Sequence, residues 1–287
     1  MMLASQAPDV GEMLLHHTAD AYSVGIEPFF SFHWERWPDL HLGPLTVNLT
    51  PTKHVVFLFV AAFLVFATMW LAGRSLRRQR AEERAPRGFA NAIEAIVVFV
   101  RNDIAIANIG HDGAKFAPFI MALFFFILYS NLLGLFPHGS TPTGNLAVTG
   151  GLAILTLLVV EIGGFMKLGL KGYLHTIFPS VPGMSGVGAV ALSVAMAPIE
   201  IIGKLVKPFA LAVRLFGNMT AGHFVILSLF GVIFLFGNLE GWNWGIGGIT
   251  TLLVVGIMLL EIFVAFLQAY VFALLSAVFI GLMQHEH

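Results

Sequence analysis

AVALSVAMAPIEIIGKLVKPFALAVRLFGNMTAGHFVILSLFGVIFLF, residues 189–236, decides the fold. It is apolar almost throughout, and a second apolar stretch, about 246–283, follows it. At 1.5 Å per residue either stretch would make a helix roughly 55–70 Å long. The hydrocarbon core of a bilayer is only ~30 Å thick. Both helices must therefore tilt strongly, break, or do both. The turn Gly237-Asn-Leu-Glu-Gly-Trp-Asn-Trp-Gly245 joins them into an expected hairpin, with Trp242 and Trp244 near an interface.

Outward from the hairpin, the remaining chain reads the same way. Val55 to Ala72 is a first apolar run, ended by the basic stretch Arg74 to Arg80. Phe116 to Phe136 and Leu146 to Met166 are further spans, although Glu161 sits near the end of the latter. A Gly- and Pro-bearing loop is expected from about Lys167 to Gly188. Between the first two spans, 88–109 is mixed: Ile93, Ile96, Val97 and Val100 recur at helical spacing among Asn91, Glu94, Arg101 and Asp103. Such a segment lies on the membrane surface or packs on other helices. The expected architecture is an all-α polytopic membrane protein, with about five crossings and one surface helix. Residues 1–52 are an extramembrane tail, 53–287 a membrane domain, and about 189–283 its long hairpin.

Composition agrees. The chain of 287 residues is 57% hydrophobic and 11% charged, against about 25% charged in soluble domains. A net charge of −1 offers no field for nucleic acid. Cysteine is absent, which excludes disulfides, thiol catalysis and thiolate metal sites. The first thirty residues carry Asp9, Glu12, Asp20 and Glu27 but no Lys or Arg, unlike a secretory signal. His16, His17, His33 and His41 are too scattered for a metal site. Six arginines lie between Arg74 and Arg87, while 137–145 and 237–245 contain no Lys or Arg. By the positive-inside bias the Arg-rich loop is cytoplasmic, the amino terminus outside and the carboxyl terminus cytoplasmic.

Charges inside the hairpin carry the functional reading. Lys204 and Lys207 are read as snorkelling to the cytoplasmic interface. Arg214 is harder to place: no acid stands near it on its own helix, and an ionised group at the bilayer centre costs about 2.5–3.5 kcal/mol. It needs a partner from another helix, another subunit or a wet cavity. At about 100° per residue, Asn218 shares its face and His223 lies opposite. Glu261 and Gln268 align on the second long helix, so His223 could meet Glu261 while Gln268 joins Arg214 and Asn218. A His and a Glu that both exchange protons in a membrane interior read as a relay.

The run Lys207-Pro-Phe-Ala-Leu-Ala-Val-Arg-Leu-Phe-Gly-Asn-Met-Thr-Ala-Gly-His223 resembles the signature of subunit a of F-type ATP synthases. Leu267-Gln-Ala-Tyr-Val-Phe272, Ser130-Asn-Leu-Leu-Gly-Leu-Phe-Pro137 and Pro198-Ile-Glu200 resemble its other conserved stretches. The resemblance runs from about Pro51 to the carboxyl end. It implies the membrane Fo stator of a bacterial-type inner membrane, with a proton path through two offset half-channels at a rotating c-ring. Arg214 would face the ring carboxylates and block direct leakage between half-channels. Asn218 and Gln268 match polar positions near that arginine, and Glu200 a position of the cytoplasmic exit. Many bacterial relatives carry Glu where this chain has His223 and His where it has Glu261, which keeps the pair with its members exchanged. The implied partners are the c-ring, the peripheral stalk b subunits, the remaining F1Fo subunits and lipid. No catalytic residue, cofactor or metal is expected, and ATP chemistry would belong to other subunits.

Two other classes fit less well. A secondary transporter predicts internal repeats, and the two long stretches share length but no signature. A scaffold held by polar glue accounts for Asn131 or Gln268 separately, but not for Arg214 beside a titratable pair. A phosphate-acting enzyme lacks any Gly-rich P-loop run.

Overall fold

The computed structural model describes residues 22–26, 30–43, 45–48, 50–81, 88–136, 139–179, 186–236 and 243–285. The tail residues Asp9, Glu12, His16, His17, Asp20 and Glu27, and Trp242 of the hairpin turn, lie outside them. Two short antiparallel hairpins precede the membrane helices: β1 (Ser23–Ile26) with β2 (Phe30–His33), and β3 (Leu40–Leu42) with β4 (Leu45–Val47). Trp34 Nε1 donates to the Pro51 carbonyl at 2.7 Å, and the Trp37 amide to Thr50 Oγ1 at 2.8 Å. These bonds tie the hairpins to the start of the first long helix.

The helices are α1 (Lys53–Ala81), α2 (Phe89–Phe99), α3 (Ala107–Ile109), α4 (Gly113–Gly134), α5 (Leu146–Ile177), α6 (Val187–Phe236) and α7 (Asn243–His285). Five of them, α1 and α4 to α7, are long and apolar enough to cross a membrane. The mixed segment 88–109 is helical but is not among these five. It buries Ala90, Ile93, Val100, Ile104 and Ile109, the apolar side of its pattern. A seven-residue π turn, Val100–Ile106, joins α2 to α3. Asn108 Nδ2 donates to the Ile104 carbonyl at 2.8 Å, satisfying one group near the end of that turn.

One boundary differs from the sequence reading. The chain from Lys167 to Ile177 is not loop: α5 continues to Ile177, with a break at Gly169 (φ 67°, ψ −179°). Glycine reaches positive φ without the clash that costs other residues about 1–2 kcal/mol. At the other end, α6 runs 50 residues without interruption despite Pro198 and Pro208. The lengthening needed for two oversized apolar stretches is thus met by unbroken helices, 50 and 43 residues long.

The chain forms two compact units. The first comprises 1–63, 128–145 and 216–267; the second comprises 64–127, 146–215 and 268–287. The second unit has a core of Ile104, Ile109, Ile120, Phe125, Leu215, Phe272 and Ile280, each no more than 2% exposed. Lipid tails are as apolar as these side chains, so close packing rather than water exclusion holds helices together here. Gly281 shows this: a β-carbon there would collide with the Asn108 carbonyl oxygen. Just before α4, Asp112 binds Lys115 at 2.8 Å and Lys167 at 3.0 Å. The hydrogen bond from Lys115, and then that from Lys167, pulls the Asp112 carboxyl from 3.8 down to about 2.

Candidate functional site

Arg214 lies on the exposed face of α6 with Ala210, Gly217 and Asn218, while Leu211, Ala212, Leu215 and Met219 face inward. Only 6% of the apolar window of this helix is buried. Among the described residues Arg214 has no ion-pair or hydrogen-bond partner. The sequence argument that its own helix offers no acid therefore extends to the described tertiary structure. Gln268 is buried on α7, and no hydrogen bond joins it to Arg214 among the described residues.

In the first unit, His223 and Glu261 are held by glycines. A β-carbon at Gly222 would collide with Glu261 Oε1, so the carboxyl lies against the α6 backbone one residue before His223. A β-carbon at Gly134 would sit 3.1 Å from His223 Nε2. Glu261 Oε1 thus faces the α6 backbone at Gly222 while His223 Nε2 faces Gly134, and no hydrogen bond joins the two side chains among the described residues. Glu261 is 8% exposed. Its Oε2, with Ser130 Oγ and Thr220 Oγ1, is buried without a hydrogen-bond partner among the described residues.

Beside this pair runs a row of buried polar groups that the sequence reading did not assign. His54, 6% exposed at the start of α1, places Nδ1 3.0 Å from Ser140 Oγ and 3.1 Å from the Thr141 carbonyl. Thr141 Oγ1 donates to the Ser130 carbonyl at 3.0 Å and lies 2.6 Å from Thr143 Oγ1. Thr143 Oγ1 donates to Asn131 Oδ1 at 2.6 Å, and Asn131 Nδ2 is 3.5 Å from the Ala265 carbonyl. Lys53 and His54 are also near enough to act electrostatically on His223. The row places hydroxyls, an amide and an imidazole within one buried cluster, and all but the amide can accept and release protons.

In the second unit, Glu200 lines a cavity of about 240 Å³ with Glu161, Lys204 and Lys207. Lys204 is not a freely snorkelling side chain. Its Nζ donates to Thr176 Oγ1 at 2.8 Å, pairs with Glu161 Oε2 at 3.5 Å and lies 5.0 Å from the centre of the Tyr173 ring. Tyr173 OH donates to the same Glu161 oxygen at 2.6 Å. Lys207 is exposed, with its Nζ 5.6 Å from the centre of the Phe279 ring on α7. Glu200 has no ion-pair partner among the described residues.

The residues missed by the sequence reading share one trait, contact across long chain separations. Glu161 was visible as an acid in an apolar span. Tyr173 and Thr176 gave no signal, because only the break at Gly169 turns them toward it. His54 was visible as a polar residue opening a span, but nothing local pointed to Ser140.

Known proteins match this chain over nearly its whole length. The family model for the ATP synthase A chain matches residues 45–281. The ATP synthase subunit a 2 of Chlorobaculum tepidum is 43% identical over 272 residues, covering 95% of this chain and 72% of its own length. The ATP synthase subunit a of Chloroherpeton thalassium is 41% identical over 273 residues, covering 95% and 77%. That of Myxococcus xanthus is 42% identical over 265 residues, covering 91% and 82%. With five apolar helices long enough to cross a bilayer and an arginine within the resembling motif, the chain belongs to the ATP synthase A chain family.

Proposed function

We propose that this chain is the stationary proton-conducting subunit of an F-type ATP synthase, working against a rotating ring of c subunits. The observation that carries the reading is Arg214: a permanent cation, exposed on an apolar helix face, without a partner among the described residues. A charge left in hydrocarbon costs several kcal/mol, so a carboxylate on a neighbouring subunit is the natural counter-ion. The small exposed residues on its face, Ala210 and Gly217, suit a close contact with another helix. The remaining family partners, the b subunits among them, follow the same reading.

His223 and Glu261, with the unmatched buried oxygens around them, form the outer half-channel in this proposal. The cavity at Glu200 forms the cytoplasmic one. By the family resemblance Asn218 and Gln268 match polar positions near the arginine that keeps the two paths apart. A proton enters on one side, neutralises a ring carboxylate, travels with the ring and leaves on the other. Each elementary charge that crosses releases about 2.3 kcal/mol per 100 mV. ATP chemistry stays in other subunits. The amino terminus lies outside and the carboxyl terminus in the cytoplasm of a bacterial-type inner membrane.

The test is ATP-driven proton pumping in inverted vesicles carrying the whole complex, wild type against Arg214→Ala. Loss of pumping, with ATP hydrolysis retained after the soluble head is released, is the expected outcome. Normal pumping would make Arg214 a structural residue and remove the basis of the proposal.

A further inference from the structure

Glu200 and Lys204 are four residues apart on α6, with the acid on the amino-terminal side. That is the favourable order for a salt bridge along a helix. Both also line the same cavity. Yet the lysine is turned elsewhere, to Glu161 and Thr176 on α5, and Glu200 has no ion-pair partner among the described residues.

The arrangement depends on a built feature. Glu161 and Tyr173 are twelve residues apart, about 18 Å along a straight helix. Their side chains nevertheless meet at 2.6 Å. The positive φ at Gly169 breaks α5 between them and carries Tyr173 and Thr176 back over Glu161. Two groups then fix the lysine: Glu161 supplies the negative charge and Thr176 an acceptor oxygen. Tyr173 in turn holds the Glu161 oxygen by its hydroxyl. Both charged partners are mostly covered, with 17% of the Lys204 and 21% of the Glu161 side chain exposed. Shielding from water makes such a pair stronger and less salt-sensitive than a surface one.

We infer that Glu161 is a positioning residue: it holds Lys204 away from Glu200, so that Glu200 stays available to exchange protons with the cavity. Without Glu161 the ammonium group is free to swing to its i−4 neighbour. A closed Glu200–Lys204 salt bridge would take that carboxylate out of proton exchange. The inference rests on the reading of Glu200 as a group of the cytoplasmic path.

The test uses the whole complex in inverted vesicles, with pumping normalised to the amount of assembled subunit. Glu161→Gln is expected to slow ATP-driven pumping about five-fold. Glu161→Gln combined with Lys204→Leu is expected to restore it, because the competing cation is gone. A double variant as slow as the single one would overturn the inference, since Glu161 would then act as a structural brace or carry the proton itself. Normal pumping by Glu161→Gln alone would overturn it as well, leaving Thr176 and Tyr173 sufficient to hold the lysine. Should Glu161→Gln fail to assemble, Tyr173→Phe loosens the same carboxylate while keeping the ring, and rescue by Lys204→Leu is read in that background. Glu200→Gln separates the two levels: if it pumps like wild type, the role of Glu200 fails first and the inference falls with it.

Discussion

The polar groups around His223 and Glu261 in the first unit are packed and mostly hydroxyl, amide or imidazole side chains, among them Ser140, Thr141, Thr143, Asn131 and His54, with Lys53 as the nearby cation. Those of the second unit are charged and stand around open space, with Glu161, Glu200, Lys204 and Lys207 on a cavity of about 240 Å³. Under the proposed function, the difference amounts to two ways of making a membrane interior wet enough for protons. One uses hydroxyl and imidazole groups at hydrogen-bond distance, where geometry is demanding and glycine is needed for clearance. The other uses a cavity and lets paired charges hold its walls, so small changes in shape matter less.

The largest expected effect tests that contrast directly. Gly222→Val in the first unit drives a side chain into Glu261. Overpacking typically costs about 1–3 kcal/mol, and here it falls on the exchangeable group itself. Passive proton conduction through head-stripped vesicles should drop to background. Gly203→Ala in the cavity wall meets nothing within 4 Å, and conduction should change by no more than about two-fold. If both variants are equally inactive, the contrast between packed and open regions is wrong.

An intermediate effect sharpens it. Thr143→Val removes the donor to Asn131 Oδ1, and both residues are 0% exposed. Leaving a buried acceptor unmatched costs about 1–3 kcal/mol, read as earlier thermal dissociation of the purified complex. Thr176→Val should cost less, because Lys204 keeps Glu161 as a partner. Equal losses would show that the charged cluster is as geometrically demanding as the neutral one.

The smallest effect lies at the edge of the second unit. The Asp112 carboxyl is lowered to about 2, chiefly by Lys115 and then Lys167. A depressed carboxyl contributes stability above its unfolded value, 3.8, and loses it as pH falls toward about 2. Asp112→Asn should therefore melt slightly earlier than wild type at neutral pH, with the gap narrowing below about pH 4. A gap that widens on acidification would mean that Asp112 acts through something other than its two lysines.

Much of the fold was legible because hydropathy and helical period are local. The five spans follow from apolar runs, and the mixed pattern at 88–109 separates a packed helix from a crossing. Arg214 was legible for the same reason: a cation in such a run with no acid within a turn is anomalous whatever surrounds it. The π turn at 100–106 and the continuation of α5 past Lys167 were not legible. The first is a shift in hydrogen-bond register without a composition cue, and the second hides behind glycines that usually mark loops.

Sequence alone determined that this chain lives in a membrane, that it has five apolar spans, and which residues are out of place among apolar neighbours. Those properties depend on side-chain chemistry within a few turns. Tertiary structure alone decided the partners: His54 with Ser140, 86 residues away, and Lys204 with Glu161 rather than with Glu200 on its own helix. A polar group in a low-dielectric interior is bound to whichever group packing brings within about 3 Å. For Lys204 that choice depends on a single backbone break at Gly169, which no local pattern of charge or hydropathy reveals.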